Sequence, residues 1–238
     1  MWNKLLNSLH PLSHLERQRV KYITNKKLPD FLKAALEQPI PTPDTALYDL
    51  QFLVMDFETS DLNPTTGRIL SIGHLELHHL MLDIGTASHQ YVNAERYVSP
   101  ESAVVNHIVP EMLLGGVQFD EAMEALFASM AERLLIAHGT VIEKRFIDTY
   151  LHRRFDLPPP PLLWLDTLLI EKSLLRNKSG DVSDFQLSSI RKRYGLPPYL
   201  AHNALADSIA TGELFLVLLK QIYAKQQPKL GGIYKPII

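Results

Sequence analysis

Residues 51–60 read QFLVMDFETS. Five of the first seven side chains are apolar, with no glycine or proline among them, and polar residues close the run at both ends. A short continuous apolar run fits a central strand covered on both faces, whereas a half-exposed strand would alternate. Residues i and i+2 of a strand point to one face, so Asp56 and Glu58 converge at its end. Two carboxylates held together repel unless a cation lies between them, and an all-oxygen donor set suits Mg²⁺ or Mn²⁺. A D-x-E triplet is common, however, and by itself describes a solvated loop equally well.

The segments on either side set the fold class. Downstream lie a turn-rich stretch (58–68, ETSDLNPTTGR) and a partly alternating strand (68–80, RILSIGHLELHHL) in which Gly73 marks a bulge. A third strand is expected over 89–99 (HQYVNAERYVS), giving an antiparallel meander. Beyond Pro100 the period becomes helical, at 102–114 and 119–134, the second with acids in its first turn, where the helix dipole favours them. Strands at 134–139 and 162–167 then alternate with helices at 141–155, 168–176, 184–195 and 201–223. The four prolines at 158–161 make a stiff loop. Upstream, 5–22 and 29–37 read as helical pieces, and 38–49, with three prolines, as a linker. Strands first, then helices alternating with strands, make a mixed α/β sheet flanked by helices.

The chain has 238 residues, 46% of them hydrophobic, enough for a packed core. It has no cysteine, which removes disulfides, thiolate metal sites and cysteine nucleophiles. No stretch reaches the ~18 consecutive apolar residues of a membrane helix, and the N-terminus lacks the apolar run of a signal peptide. A cytoplasmic protein with no membrane contact is expected. A net charge of −2 argues against coating nucleic acid by bulk electrostatics. The charge is uneven: residues 1–48 carry 7 Lys/Arg against 4 Asp/Glu, 220–238 carry four Lys and no acid, and 49–219 carry 13 against 22. Basic ends around an acidic centre fit phosphate-attracting arms beside an acidic site, and fit equally well solvated termini.

A second candidate is HNALAD (202–207) at the start of the last long helix. At about 100° per residue His202 and Asp207 stand apart around the axis, but both line one cleft if His202 sits just before the first turn. A histidine can take a proton from water near neutral pH, while the carboxylate holds metal. Taken together, D-x-E at the end of the first core strand and H-x4-D about 145 residues later resemble the DEDDh family of 3′–5′ exonucleases. This DnaQ-like group includes the proofreading epsilon subunit of bacterial DNA polymerase III. VMDFETSDLNPTTGRILSIGHLEL, VNHIVPEML, the LDT at 165–167, FQLSSIRKRYGLP and AHNALADSIATGELFL carry the resemblance over residues 51–220.

The resemblance implies a ribonuclease H-like sheet and hydrolysis of phosphodiester bonds from the 3′ end of nucleic acid, DNA favoured over RNA, to nucleoside 5′-monophosphates. It implies two Mg²⁺ or Mn²⁺ ions held by Asp56, Glu58, Glu143 and Asp207, with His202 as general base. Thr59, His107 and Ile108 would position the terminal nucleotide. Arg191, Lys192 and Arg193 are candidates for phosphate contacts, although three consecutive side chains on one helix cannot share a face. Three regions follow: a basic helical extension and linker (1–48), an exonuclease domain (49–222) and a basic tail (223–238). A polymerase or another protein partner at the termini is compatible with this reading. The competing reading is a catalytically weakened protein that binds a 3′ end or a polymerase partner without cleaving. The retained His202 speaks against it, because a binder needs no general base.

Two positions depart from the family. Its middle motif reads H-N-x-x-F-D, and counting from His138 in AHGTVIEKRF puts Glu143 where Asp is usual. The extra methylene carries the carboxylate about 1.5 Å further, which either disturbs Mg²⁺ geometry or is absorbed by a water-mediated contact. Alternatively Glu143 is an exposed helical acid paired with Lys144 or Arg145. Asp61 stands where relatives carry Gly, and is expected to tolerate a left-handed turn. His74, His78, His79 and His89 lie on neighbouring strands and read more readily as solvent-facing strand residues than as a second metal site.

Overall fold

In the computed structural model, which describes residues 10–24, 27–94, 96, 98, 100–176 and 184–234, the decisive run forms the middle of a five-stranded sheet. β1 (Gln51–Thr59) pairs antiparallel with β2 (Ile69–His78), and β2 antiparallel with β3 (Met81–Tyr91). On its other side β1 runs parallel to β4 (Leu134–Ala137), and β4 parallel to β5 (Trp164–Asp166). The order β3-β2-β1-β4-β5 is the mixed sheet that the sequence predicts. The helices are α1 (Pro11–Ile23), α2 (Asp30–Leu36), α3 (Pro100–Asn106), α4 (Pro110–Leu113), α5 (Phe119–Met130) and α6 (Val141–Phe155), then α7 (Thr167–Leu175), α8 (Leu187–Arg193), α9 (Ala204–Tyr223) and α10 (Leu230–Ile233).

β1 reads as one apolar run because each of its faces has its own core. Leu53, Met55 and Phe57 join Leu32 and Leu36 of α2, Met123 and Phe127 of α5, and Phe146 of α6. Phe52 and Val54 join Leu75 and Leu77 of β2 and Leu214, Phe215 and Leu218 of α9 on the opposite face. Each such fully buried side chain contributes roughly 1.5–3 kcal/mol. Described segments near both ends of the chain are part of this packing. Leu12 of α1 is buried, Arg19 donates to Pro161 O (3.0 Å) and Gln38 O (2.8 Å), and Tyr22 Oη donates to Pro158 O (2.7 Å), so α1 clamps the proline loop. Near the C-terminus Leu47 N donates to Pro228 O (2.9 Å), and Leu230 and Ile233 of α10 are buried. The expectations for residues 1–9, 25–26 and 235–238 lie outside the described residues.

Several elements differ from the sequence reading, each for a physical reason. The third strand begins at Met81, not His89, because His79 and Leu80 reverse the chain with φ of 51° and 56°. A tight turn of this kind normally announces itself with Asn or Gly, and here it does not. Of the expected 89–99 strand only residues 89–91 are in β3; Val92 instead bridges Val117, and residues 95, 97 and 99 lie outside the description. The helical segment 102–114 is split into α3 and α4 by His107, whose φ is 56°, and by Pro110. α9 starts at Ala204, capped by the Asn203 side chain, rather than at residue 201. No described helix is long and apolar enough to cross a membrane.

Gly73 is not at a bulge. It pairs in register with Asp56 and His89; the register shifts lie on either side of it, at Leu70 opposite β1 and between His74 and Glu76 opposite β3. What Gly73 permits is contact: a Cβ there would collide with the backbone of Ala204 and Leu205 at the start of α9. Ser208 Oγ donates to Gly73 O (2.9 Å), fastening the same crossing. Gly73→Ala should therefore push α9 off the sheet and lower stability by about 1–3 kcal/mol, the usual cost of overpacking. Thermal unfolding checks this; a melting temperature equal to wild type would show that α9 does not need the approach.

Candidate active site

β1 carries Asp56 and Glu58 past the end of its neighbour, since pairing with β4 stops at Val54. Such ground beyond the carboxyl end of a parallel pair is where open α/β sheets bind ligands. Asp207 arrives from the first turn of α9. Asn203 Oδ1 accepts from Ala206 N (3.0 Å), and Asp207 Oδ2 accepts from the backbone N–H of His202 (2.8 Å) and of Asn203 (3.3 Å). The bend requires φ of 64° at His202 and leaves its side chain exposed at the rim of the cleft. One oxygen from each of Asp56, Glu58 and Asp207 lies within 4.8 Å of the others.

Glu143 joins them from the first turn of α6. It is only 3% exposed, and its Oε2 has no hydrogen-bond partner. It is therefore not the exposed acid paired with Lys144 or Arg145 that the sequence left open. Burial, then the charges of Glu143, Glu58 and Asp207, push the Asp56 carboxyl well above the usual range. Burial, then Asp207, pushes Glu58 up to about 8. Burial pushes Glu143 up to about 8, against a hydrogen bond from its own backbone N–H and with a further push from Asp166. Asp207 is also raised by burial, less so because the His202 and Asn203 amides stabilise its charge. Four crowded carboxyls, all-oxygen donors and one buried oxygen without a partner form a set that a hard divalent cation completes.

Three polar residues that the sequence reading gave no role hold this arrangement. Asp166, at the end of β5, accepts from Gly139 N (3.0 Å), Thr140 N (3.0 Å) and Thr140 Oγ1 (3.1 Å), and from Leu168 N (2.9 Å) at the start of α7. One buried carboxylate thus fixes both the loop that leads into α6 and the first turn of α7. The available signal was an Asp directly before a helical run, a capping position. His138 is tied to Thr167 Oγ1 (2.8 Å) and Phe185 O (2.9 Å), and burial lowers its pKa. Asn106 Nδ2 donates to Thr59 O (2.7 Å).

The carboxyl groups, His138, Asn106 and His202 face a cleft of ≈ 1160 Å³, and Asp166 lies behind its wall. Its lining includes Asp56, Glu58, Thr59, Glu143, His202 and Asp207. His107 and Ile108 are not brought to it: His107 is exposed, Ile108 is packed in the core, and the neighbouring Asn106 lines the cleft instead. Of the three basic residues on α8, Arg191 is buried and bound to Glu213 Oε2 (2.8 Å), and Arg193 is paired with the buried Glu171 (3.2 Å). Lys192 is exposed on the cleft wall. Asp61 needs no left-handed backbone; its carboxylate accepts from Asn63 N (3.0 Å) and Thr66 Oγ1 (2.8 Å), which tie the 61–66 turn and lower its pKa. The four histidines do not form one cluster, although the His78 and His79 rings lie edge to face with centroids 5.6 Å apart. His74 and His78 share one face of β2, His89 pairs with Gly73 on the other face, and His79 is in the turn. His74 and His89 are half-buried rather than solvent-facing, with pKa values lowered by burial.

Residues 53–215 match the RNase T family, described as exonuclease. Among curated proteins, the chain is 28% identical over 194 residues to DNA polymerase III PolC-type of Thermotoga maritima, and 22% identical over 179 residues to that of Staphylococcus aureus. These alignments cover 81% and 75% of this chain but only 14% and 12% of the relatives, so the chain spans about one seventh of their length. Among solved structures, E. coli exonuclease I in a zinc-bound complex with single-stranded DNA superposes with a TM-score of 0.60 at 20% identity. It covers 74% of this chain and 42% of that one. The nuclease domain of 3′hExo, a DEDDh family member bound to rAMP, gives 0.60 at 18% identity, covering 74% and 95%. The ribonuclease H-like fold is shared.

The raised carboxyl pKa values fix a dependence of stability on pH. Between the unfolded value of 4.5 and about 8, Glu58 and Glu143 hold more protons folded than unfolded. Their contribution therefore falls as pH rises through that window. The half-buried His74, His89 and His138, with lowered pKa values, act oppositely, but only below their ordinary 6.5. Metal-free protein should thus lose melting temperature from pH 7 to pH 8.5, and Mn²⁺ should restore more at the higher pH. Calorimetric scans in EDTA and in Mn²⁺ test this; a flat metal-free profile would sink it.

Proposed function

The chain belongs to the RNase T exonuclease family, and from that premise we propose that it removes nucleotides one at a time from the 3′ end of nucleic acid. The observation that carries the reading is the convergence of Asp56, Glu58, Glu143 and Asp207 in one cleft whose rim bears His202. Exonucleases of this type are metal-dependent, and two Mg²⁺ or Mn²⁺ ions held by these carboxylates would neutralise charge at the phosphorus and make water easier to deprotonate. His202 takes the proton from the attacking water. Its backbone N–H on Asp207 fixes the main chain from which the imidazole reaches the cleft. Lys192 faces the phosphates, and Thr59, with Asn106 holding its carbonyl, supports the terminal nucleotide. His107 and Ile108 would act on that nucleotide only indirectly, through the placement of Asn106.

DNA is favoured as substrate. The relatives are named DNA polymerase III, and E. coli exonuclease I carries single-stranded DNA; the rAMP on 3′hExo makes RNA the comparison substrate. A polymerase partner and a cytoplasmic role in replication or repair belong to the same proposal, with residues 49–222 as the exonuclease domain.

A 5′-labelled oligonucleotide incubated with Mg²⁺ or Mn²⁺ should give a ladder shortening in single steps from the 3′ end. Asp56→Asn should abolish it, and His202→Ala should lower kcat by roughly 10²–10⁴-fold, the usual worth of a positioned base. A folded Asp56→Asn protein with wild-type rates would remove the site from consideration. Glu143→Gln, which keeps size and loses charge, should cost at least about tenfold. Glu143→Asp should also fall, because α6 is fixed by the Asp166 clamp and cannot move to meet a shorter side chain. Faster turnover in Glu143→Asp would show that the scaffold has not adapted to Glu.

A further inference from the structure

The loop joining α8 to α9 carries Tyr199 into the same cleft, and nothing in the hydrolytic scheme uses it. Its surroundings are built with care. Arg191, buried on α8, donates to Ala210 O (2.7 Å), Pro197 O (2.9 Å) and Glu213 Oε2 (2.8 Å), which locks the loop to α9. The same guanidinium lies 4.8 Å from the centroid of the Tyr199 ring, and Tyr199 Oη donates to Glu213 Oε1 (3.1 Å). The ring is therefore backed on one face and tethered at its tip, yet it is 40% exposed and lines the cleft with Leu62 and His202.

We propose that Tyr199 is a stacking platform for a nucleobase of an unpaired strand lying in the cleft. The proposal rests on the exonuclease reading and adds to it a preference for single strands. A ring already immobilised loses little freedom when a base settles on its open face. Stacking on an aromatic ring is tolerant of sequence because every base has a π-face, and the cation behind the ring holds it in place through its own contact. Lys192 on the adjoining wall supplies a charge for the backbone of the same strand. A base inside a duplex is already stacked and paired, so it must be released before it can reach Tyr199. Paired ends are disfavoured for that reason.

The test compares single-stranded oligonucleotides bearing normal bases with otherwise identical ones carrying abasic sites near the 3′ end. Wild type should favour the base-bearing strand in kcat/KM. Tyr199→Ala should shrink that preference by roughly 5- to 100-fold, the range expected for one stacked base, chiefly through KM. Tyr199→Phe and Tyr199→Trp, which keep a ring, should preserve it. In parallel, a methylphosphonate-linked oligonucleotide containing 2-aminopurine reports stacking without turnover: its fluorescence should be quenched by wild type and not by Tyr199→Ala. Equal losses on both substrates in Tyr199→Ala, as a loosened loop would cause, overturn the proposal. So does undiminished quenching. Absence of turnover in wild type with every substrate, alongside intact Tyr199-dependent quenching, would instead count against the exonuclease reading and leave the stacking site standing.

Discussion

The carboxyl groups of Asp56, Glu58, Glu143 and Asp207 crowd the end of β1, and Arg191, the buried cation beside them, is already committed to Glu213. Left alone, such a set either repels or takes up protons, and the raised pKa values express the second outcome. Everything nearby has to be read against that repulsion. The acids stay together because their backbones are fixed by contacts that, apart from the His202 and Asn203 amides on Asp207, do not involve the acids' own charge. A divalent cation would replace protons in a site whose geometry is already set, so little reorganisation would accompany its binding.

Those fixed backbones come from three directions. The central position of β1, with a core on either face, settles the height at which Asp56 and Glu58 emerge. The glycine at position 73 lets α9 press onto β2, and the Asn203 cap and the strained His202 backbone then turn Asp207 inward. On the third side, Asp166 ties the 139–140 loop to α7 and thereby sets the first turn of α6, from which Glu143 projects. Only Asp56 and Glu58 are neighbours in sequence. The site exists because strand, helix and loop are each pinned within reach of one point.

Much of this was legible in the chain because it rests on periodicity and on charged residues at strand ends. The apolar run before Asp56 needs no tertiary information to be read as a buried strand, and H-x4-D at a helix start places its own two members. What could not be read depends on contacts between distant segments. Gly73 looks like a bulge from its strand alone; only the position of Ala204 reveals a close approach. β3 was placed too late because its turn uses His79 and Leu80 and its edge position spares it an apolar run. Arg191 looks like a phosphate contact until Ala210, Pro197 and Glu213 are seen to claim it. The role of Asp166 does not show in LDT itself, since the partners of its carboxylate at 139 and 140 precede it by more than twenty residues.

The contrast between Asp166 and Glu143 shows how the protein divides its buried acids. The Asp166 carboxylate is surrounded by backbone donors and a hydroxyl, so its charge is already compensated by the protein. Glu143 sits three residues beyond Thr140, in the first turn of α6, with one oxygen bare. Burial of a satisfied carboxylate can support structure, whereas burial of an unsatisfied one costs stability unless something outside the protein completes it. The first kind holds the second in place. Because the clamp acts on the backbone before α6, it sets the point from which the side chain at 143 projects. The reach of Glu143 toward the acids on β1 is then measured from the Asp166 anchor.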